Sequence, residues 1–363
     1  MEILEQLGDA NLILIIGVTT GFGFGVFAQQ SAFCLRSAAV EFWHGAPGAK
    51  VAVWLLAFGA ALVGTQSLIF TEQINTASIR QLSGTGSLSG AILGGLLFGI
   101  GMILARGCAS RLLVLTATGN LRALLTGLLL TVVAQASLRG VLSPLREQLS
   151  ALWLISGPTR AITSYLPSIT GIVLGIALLI IGLVLAHKAT IRLWVGVCAA
   201  GVGAVVVFGW WSTHWHSSWA FDATVPQSVS FTGPSADTLM ALINAPELPK
   251  TFGLGLVPGV FAGSLLAALL SRQFKLAYFN EDSGMFRYLA GATLMGFGSM
   301  LAGGCAVGAG VTGGAVLATT AWVALFSMWI GAGAADWALS KLPAKDKPGN
   351  MLHEEPIQTY RSR

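Results

Sequence analysis

A series of long apolar runs is the feature that most constrains the fold of this chain. Each run is close to the roughly 20 residues that a helix needs to cross the hydrocarbon core of a membrane. The runs cover about 11–28, 51–70, 88–105, 121–138, 168–186, 191–211, 252–270 and 310–335. This pattern predicts an all-α, polytopic helical membrane protein that forms a single transmembrane domain over residues 1–363.

Composition excludes two other classes of protein. Hydrophobic residues make up 54% of the 363 residues and charged residues only 10%, and the mean hydropathy is +0.75, which no soluble globule of this length shows. The apolar runs are continuous and rich in Gly and Leu, whereas strands of a membrane barrel alternate in polarity. Basic and aromatic residues do not cluster as they do in nucleic-acid-binding proteins, so we expect no nucleic-acid partner.

The charged segments predict a topology. Acidic residues precede the first run, where a signal peptide would carry bases, so we expect that run to be kept as a span. The tail at 339–363 carries Lys341, Lys345 and Lys347 and is predicted to be cytoplasmic. The segment 212–250 has almost no basic residues and is predicted to be an extramembrane loop on the outer side. Residues 139–167 fit either face.

An internal repeat organises the chain. The stretch GGLLFGIGMILARGCAS from Gly94 aligns without gaps with GATLMGFGSMLAGGCAV from Gly291, and Cys108 falls on Cys305. Ladders of glycines at four-residue spacing precede both copies, at Gly17, Gly21 and Gly25 and at Gly255, Gly259 and Gly263. We expect two pseudo-symmetric repeats, over about 11–140 and 252–338. Duplicated halves are the usual geometry of transporters, with the substrate near the repeat interface.

Each copy ends in a short apolar helix followed by Gly and Cys, a pattern typical of broken or re-entrant helices. We expect Gly107 and Gly304 to permit the turn and Cys108 and Cys305 to meet near the centre of the membrane. A third thiol, Cys34 in FAQQSAFCLRSA, also follows a helix. The fourth, Cys198, lies in an apolar run and is predicted to pack as a small hydrophobic residue.

The residues around Cys108 favour an anionic substrate. Arg106 and Arg111 flank the thiol, and an arginine within a membrane span usually marks a functional cavity. Guanidinium groups bind oxyanions, and a thiol adds a weak, polarisable donor. An anion that carries both oxygens and an exposed sulfur, of which thiosulfate is the simplest, fits this combination best. Thiols also bind soft cations such as Cu(I), but the two arginines would repel them.

The same motifs resemble those of the YeeE/YedE family of bacterial thiosulfate-uptake proteins. The resemblance rests on the paired glycine and cysteine motifs, on the element around Cys34, and on the hydropathy of nearly the whole chain. It implies a multi-pass protein of the bacterial inner membrane that passes thiosulfate along Cys34, Cys108 and Cys305 without covalent chemistry. It also implies a small TusA-like sulfur carrier as a cytoplasmic partner.

The sequence therefore predicts a transporter that is not an enzyme and that needs no cofactor or bound metal. The residues predicted to contact the anion are Cys34, Cys108, Cys305, Arg106, Arg111, Gly107 and Gly304. Two alternatives stay open from the residues alone: a soft-metal transporter, and a membrane thiol oxidoreductase with a reversible disulfide. A phosphate-binding loop of the G-x-x-x-x-G-K-[ST] type is absent from the sequence, which argues against direct use of ATP.

Overall fold

The computed structural model describes residues 8–165, 167, 169–220, 224–244, 248–278 and 284–341, and these form a bundle of helices. The helices are α1 Asp9–Ser31, α2 Leu35–Trp43, α3 Ala49–Phe70, α4 Arg80–Ser83, α5 Leu88–Leu104, α6 Ala109–Ala117, α7 Leu121–Arg139, α8 Ser143–Ala151, α9 Thr170–Lys188, α10 Leu193–Trp219, α11 Thr232–Asn244, α12 Phe252–Leu270, α13 Met285–Leu301, α14 Gly313–Ala315 and α15 Thr319–Ser340. A π-helical segment, Ala306–Thr312, lies between α13 and α14. Two short strands, β1 Gly86–Ser87 and β2 Leu154–Ile155, pair in antiparallel fashion.

The structure confirms the all-α, polytopic class. In the part of the chain that it describes, nine helical stretches are long and apolar enough to cross a membrane. One of them, Met285–Ala315, was not among the predicted spans, and the predicted run at 310–335 is divided between the π-helical segment and α15. The sequence does not show where the π-helical segment ends and α15 begins, because the residues around position 310 are nearly all apolar or glycine.

The two glycine ladders pack against each other. On α1, a Cβ atom at Gly17 would overlap the carbonyl oxygen of Phe252, and one at Gly21 would overlap that of Leu256. On α12, a Cβ atom at Gly259 would lie 2.5 Å from the carbonyl oxygen of Val18. Contacts advance in the same direction along both helices, so α1 and α12 run parallel with their backbones in close contact.

Helices α5 and α13 form a second close pair, in the opposite sense. The start of α5 meets the end of α13, where a Cβ atom at Gly90 would lie 2.5 Å from the carbonyl oxygen of Leu301. Further along, a Cβ atom at Gly101 would lie 2.7 Å from the carbonyl oxygen of Gly291. Because the pair is antiparallel, Cys108 and Cys305 follow opposite ends of it.

The packing of the helices favours a longer second repeat than the one predicted. The contact between α1 and α12 corresponds to the contact between α10 and α3. In the same way, the contact between α5 and α15 corresponds to the contact between α13 and α7. The short helices agree as well, since α2 contacts α3, α5 and α15 while α11 contacts α12, α13 and α7. These pairs match 9–139 with 193–340. The two glycine ladders, taken as equivalent in the predicted repeats, pack against each other.

The segment predicted as an extramembrane loop, 212–250, is mostly ordered structure in its described part. Helix α10 continues to Trp219, and α11 covers Thr232–Asn244. Between them, Val229 and Phe231 are buried, and the Phe231 ring lies 4.9 Å from that of Phe24. The sequence shows no sign of these helices and buried residues, because the segment contains Ser, Thr and Pro residues, which are also typical of exposed loops.

Large apolar side chains cover the outside of the bundle. Helix α9 is the clearest case, because most of it is exposed and few of its residues are buried. Its exposed side chains include Val173, Ile176, Ile180, Ile181, Leu183 and Val184. In a membrane protein such a surface faces lipid.

Candidate functional site

Each of the three predicted site cysteines directly precedes a short helix. Cys34 is the N-cap of α2, Cys108 is the N-cap of α6, and Cys305 is the N-cap of the π-helical segment. All three are buried, with Cys108 and Cys305 only 1% exposed. Backbone N–H groups at a helix start lack partners within the helix, so each sulfur lies beside a local positive potential.

A left-handed residue two positions before each cysteine makes the turn. These residues are Ala32 with φ 51°, Arg106 with φ 56° and Gly303 with φ 80°. In the first repeat the left-handed position is therefore Arg106 and not Gly107, which has room for a Cβ atom at 3.4 Å from the nearest atom. Gly304 is confined, because a Cβ atom there would lie 2.8 Å from the Ala309 nitrogen. The space for a Cβ atom therefore differs between the two predicted glycines, being sufficient at Gly107 and insufficient at Gly304.

The structure brings Cys34 and Cys108 together, close enough for their thiol groups to interact. The Cys108 sulfur also lies 3.3 Å from Ser110 Oγ. Cys305 Sγ instead accepts a hydrogen bond of 3.4 Å from the Gly308 N–H. Cys34 and Cys108 form a pair, and α6, which follows Cys108, also contacts the π-helical segment that follows Cys305. The approach of Cys108 to Cys305 itself stays a prediction.

Arginines surround the thiol pair. Both Arg36 and Arg111 act electrostatically on Cys34, and the buried Nη1 atom of Arg111 has no hydrogen-bond partner. The charges of Arg106 and Arg36 act electrostatically on Arg287. The Nη2 group of Arg287 donates a hydrogen bond of 3.1 Å to the Ile103 carbonyl oxygen. This end of the molecule is strongly positive, a field that attracts anions.

Sequence reasoning missed Arg287 as a member of this group. The signal was present, because an arginine in the second copy of the repeat, near the start of an apolar helix, is as unusual as Arg106 in the first. One carboxylate, that of Asp336, acts electrostatically on Arg287, and it also binds His44 at 2.8 Å. Positive charge therefore dominates the cluster.

The side chains at the site are suited to an anion. Among the described residues, no three His, Cys, Asp or Glu side chains lie together in a group that could hold one. The four cysteines are free thiols. Cys198 is fully buried in α10. The donors at the thiol pair are thiol, hydroxyl, guanidinium and backbone N–H groups, which match the oxygens and the sulfur of an anion.

The fold and the site define a class: a polytopic helical membrane protein with helix-capping thiols in its interior and arginines beside them. The chain belongs to the Sulphur transport family, whose sequence profile matches residues 30–334. This confirms the family resemblance noted in the sequence.

Two relatives cover nearly the whole chain. The Thiosulfate transporter TsuA of Escherichia coli is 24% identical over 366 residues, which span 92% of this chain and 96% of the relative. The Thiosulfate transporter TsuA of Spirochaeta thermophila is 29% identical over 348 residues, which span 89% of this chain and 98% of the relative. Together with the nine apolar stretches, the family establishes a multi-pass membrane protein of sulfur transport.

Proposed function

We propose that this protein imports thiosulfate across the bacterial inner membrane along a path of cysteine thiols. The observation that carries the proposal is the set of three buried, helix-capping cysteines, two of which form a pair with arginines nearby, in a chain whose relatives are named thiosulfate transporters. The protein acts as a carrier, with no covalent change in the anion, and is not an enzyme.

The chemistry of the site fits an anion with two kinds of atom. Guanidinium and backbone N–H groups donate to the oxygens, and these charge-assisted bonds attract the ion into the protein. The thiols of Cys34, Cys108 and Cys305 donate weakly to the terminal sulfur. Weak, successive contacts suit transport because a site that bound the ion tightly would not release it.

The charge distribution supports a direction for the path. Cys34 and Cys108 lie at the end of the molecule that carries Arg36, Arg106 and Arg287. Cytoplasmic ends of membrane proteins are enriched in Lys and Arg, so this end faces the cytoplasm. Thiosulfate then meets Cys305 first and the Cys34–Cys108 pair last, before it is released into the cell.

A small TusA-like sulfur carrier is the proposed recipient at the cytoplasmic end. The chain near the helix ends on that side is basic, with exposed Lys188, Arg272 and Lys275 and partly exposed Lys50. Such a surface fits an acidic protein face. Co-purification of the two proteins at low salt, lost when Arg272 and Lys275 are both changed to Glu, is the expected result. Equal recovery of the carrier with both versions would contradict the proposal.

Uptake of ³⁵S-thiosulfate by bacterial cells without their own sulfur permeases tests the function. We expect the parent protein to support uptake, and we expect Cys34→Ala, Cys108→Ala and Cys305→Ala each to lower the initial rate at least about tenfold. Cys198→Ala is the matched control, because this thiol is buried but lies in a helix interior. Uptake at the parent rate in all three variants would remove the thiols from the mechanism.

The same cells separate the two alternatives. A soft-metal transporter would accumulate Cu(I) rather than labelled thiosulfate. A thiol oxidoreductase would lose maleimide-reactive thiols on oxidation and regain them on reduction during turnover. We expect thiosulfate uptake without either effect.

A further inference from the structure

A short motif after the first helix of each repeat is itself repeated. FCLRSA at 33–38 aligns with FTGPSA at 231–236, so Phe33, Ser37 and Ala38 match Phe231, Ser235 and Ala236. Both stretches begin a helix, α2 in the first repeat and α11 in the second. Both phenylalanines pack on the same ring, since Phe24 lies 6.4 Å from Phe33 and 4.9 Å from Phe231. In this alignment Thr232 takes the place of Cys34.

The residues that precede Thr232 contact the π-helical segment that follows Cys305. Val229 accepts a hydrogen bond of 2.6 Å from Thr312 Oγ1, at the end of the π-helical segment. A Cβ atom at Gly308 would overlap Ser230 Oγ, and the Gly308 N–H is the group that binds Cys305 Sγ. The chain that leads into Thr232 therefore runs beside the segment that Cys305 caps.

The Thr232 hydroxyl is left without a partner. Thr232 is 0% exposed, and its Oγ1 atom has no hydrogen bond in the described structure. A buried hydroxyl without a partner is costly, because it has lost its hydrogen bonds to water and has gained none in the protein. Such a group in a transporter is expected where a passing substrate supplies the missing bond.

We propose that Thr232 is a substrate-binding residue of the outer half of the path, where its hydroxyl donates a hydrogen bond to an oxygen of the sulfur anion at Cys305. This inference rests on the proposed function. Cys34 lies beside Cys108 at the inner end, and the residues that lead into Thr232 lie beside the segment that Cys305 caps at the outer end. The path then has four positions, in two pairs related by the repeat.

The exchange of thiol for hydroxyl gives the two ends different chemistry. A hydroxyl is a much better donor than a thiol, so it favours the oxygens of the anion, whereas two adjacent thiols favour the sulfur. The outer pair therefore selects an anion that has both an oxyanion end and a soft end. The inner pair holds it only weakly before release.

The test is uptake of labelled thiosulfate with four variants in cells that lack other sulfur permeases. We expect Thr232→Val, which keeps the shape and removes the hydroxyl, to lower the initial rate about tenfold. We expect Thr232→Ser to keep at least about half of the parent rate. Thr126→Val is the control, because Thr126 is 1% exposed and its hydroxyl bonds only within its own helix, to Arg122 at 2.6 Å. Cys305→Ala reports on the thiol path itself.

Thermal unfolding of the purified variants in detergent separates binding from folding. We expect thiosulfate to raise the midpoint of the parent and of Thr232→Ser, and to raise that of Thr232→Val much less, with similar midpoints in its absence. Parent-like uptake by Thr232→Val beside a strongly impaired Cys305→Ala would overturn this inference and leave the proposed function intact. Absence of uptake by the parent protein would overturn both.

Discussion

At the scale of single residues, the two turns before Cys108 and Cys305 are built differently. The first uses Arg106 in a left-handed conformation with an uncrowded Gly107, and the second uses Gly303 and the crowded Gly304. We therefore expect Gly107→Ala to transport thiosulfate at nearly the parent rate and Gly304→Ala to lose most uptake. Comparison of the two initial rates at equal membrane abundance is the measurement. Equal loss in both variants would contradict this account of the turns.

Arg111 is the arginine best suited to bind an anion at the thiol pair. Its buried Nη1 atom lacks a partner, and its charge acts on Cys34. We expect Arg111→Gln to raise the half-saturating thiosulfate concentration at least about tenfold, because a charge-assisted hydrogen bond is lost. Arg139→Gln, at the far end of α7, is the control. An unchanged concentration dependence in Arg111→Gln would show that this side chain does not bind the anion.

Much of the candidate site was predictable from short motifs, and its pairing was not. Cys34, Cys108, Cys305 and Arg111 stand out because thiols and arginines are rare in apolar sequence. The pairing of Cys34 with Cys108 brings together two helix starts from separate parts of the chain, and the sequence carries no local sign of it. Thr232 stands out only after the structure shows that α11 matches α2.

At the scale of helices, the glycine ladders hold α1 and α12 together. A Cβ atom at Gly21 would overlap backbone, which cannot move aside as a flexible side chain does. We expect Gly21→Ala to destabilise the protein by about 1–3 kcal/mol or more, seen as a lower thermal midpoint in detergent.

Gly127→Ala on α7 is the matched control for this helix pair. Nothing lies within 4 Å of a Cβ atom there, and alanine is favoured over glycine in a helix by about 1 kcal/mol. We expect an unchanged or higher midpoint. A loss of stability as large as that of Gly21→Ala would mean that close helix approach is not the reason for the ladder.

The elements were predicted with uneven success, for a physical reason. Helices α1, α3, α5, α7, α9, α10 and α12 follow from apolar runs of spanning length. The π-helical segment does not, because it lies inside the protein and owes its shape to packing against other helices. Helix α11 does not either, because it is short and only three of its residues are buried. A helix that crosses lipid needs a long apolar run, which is visible in the sequence, whereas packing inside the protein requires no such run.

At the scale of the whole molecule, the two ends of the helical bundle differ in their content of basic residues. The end that holds the arginine cluster also carries the residues at the start of α3 and α10 and those at the ends of α9 and α12, with Lys50, Arg192, Lys188 and Arg272 among them. The opposite end has fewer, among them Arg80, Arg139, Arg146 and Arg160. The positive-inside rule then assigns the first end to the cytoplasm.

Cysteine labelling in intact cells checks this topology. We expect Gly157→Cys to react with a membrane-impermeant maleimide in intact cells, and Arg272→Cys to react only after the membrane is permeabilised. The native thiols give little background because all four are buried. The reverse labelling pattern would invert the proposed path.

The central claim is that buried thiols carry a sulfur anion through the protein, and uptake of ³⁵S-thiosulfate into proteoliposomes of the purified protein tests it most directly. We predict rapid uptake by the parent and by Cys198→Ala, with little competition from sulfate, and a loss of at least about tenfold in Cys108→Ala and Cys305→Ala. Uptake at the parent rate by both of these variants would contradict the account.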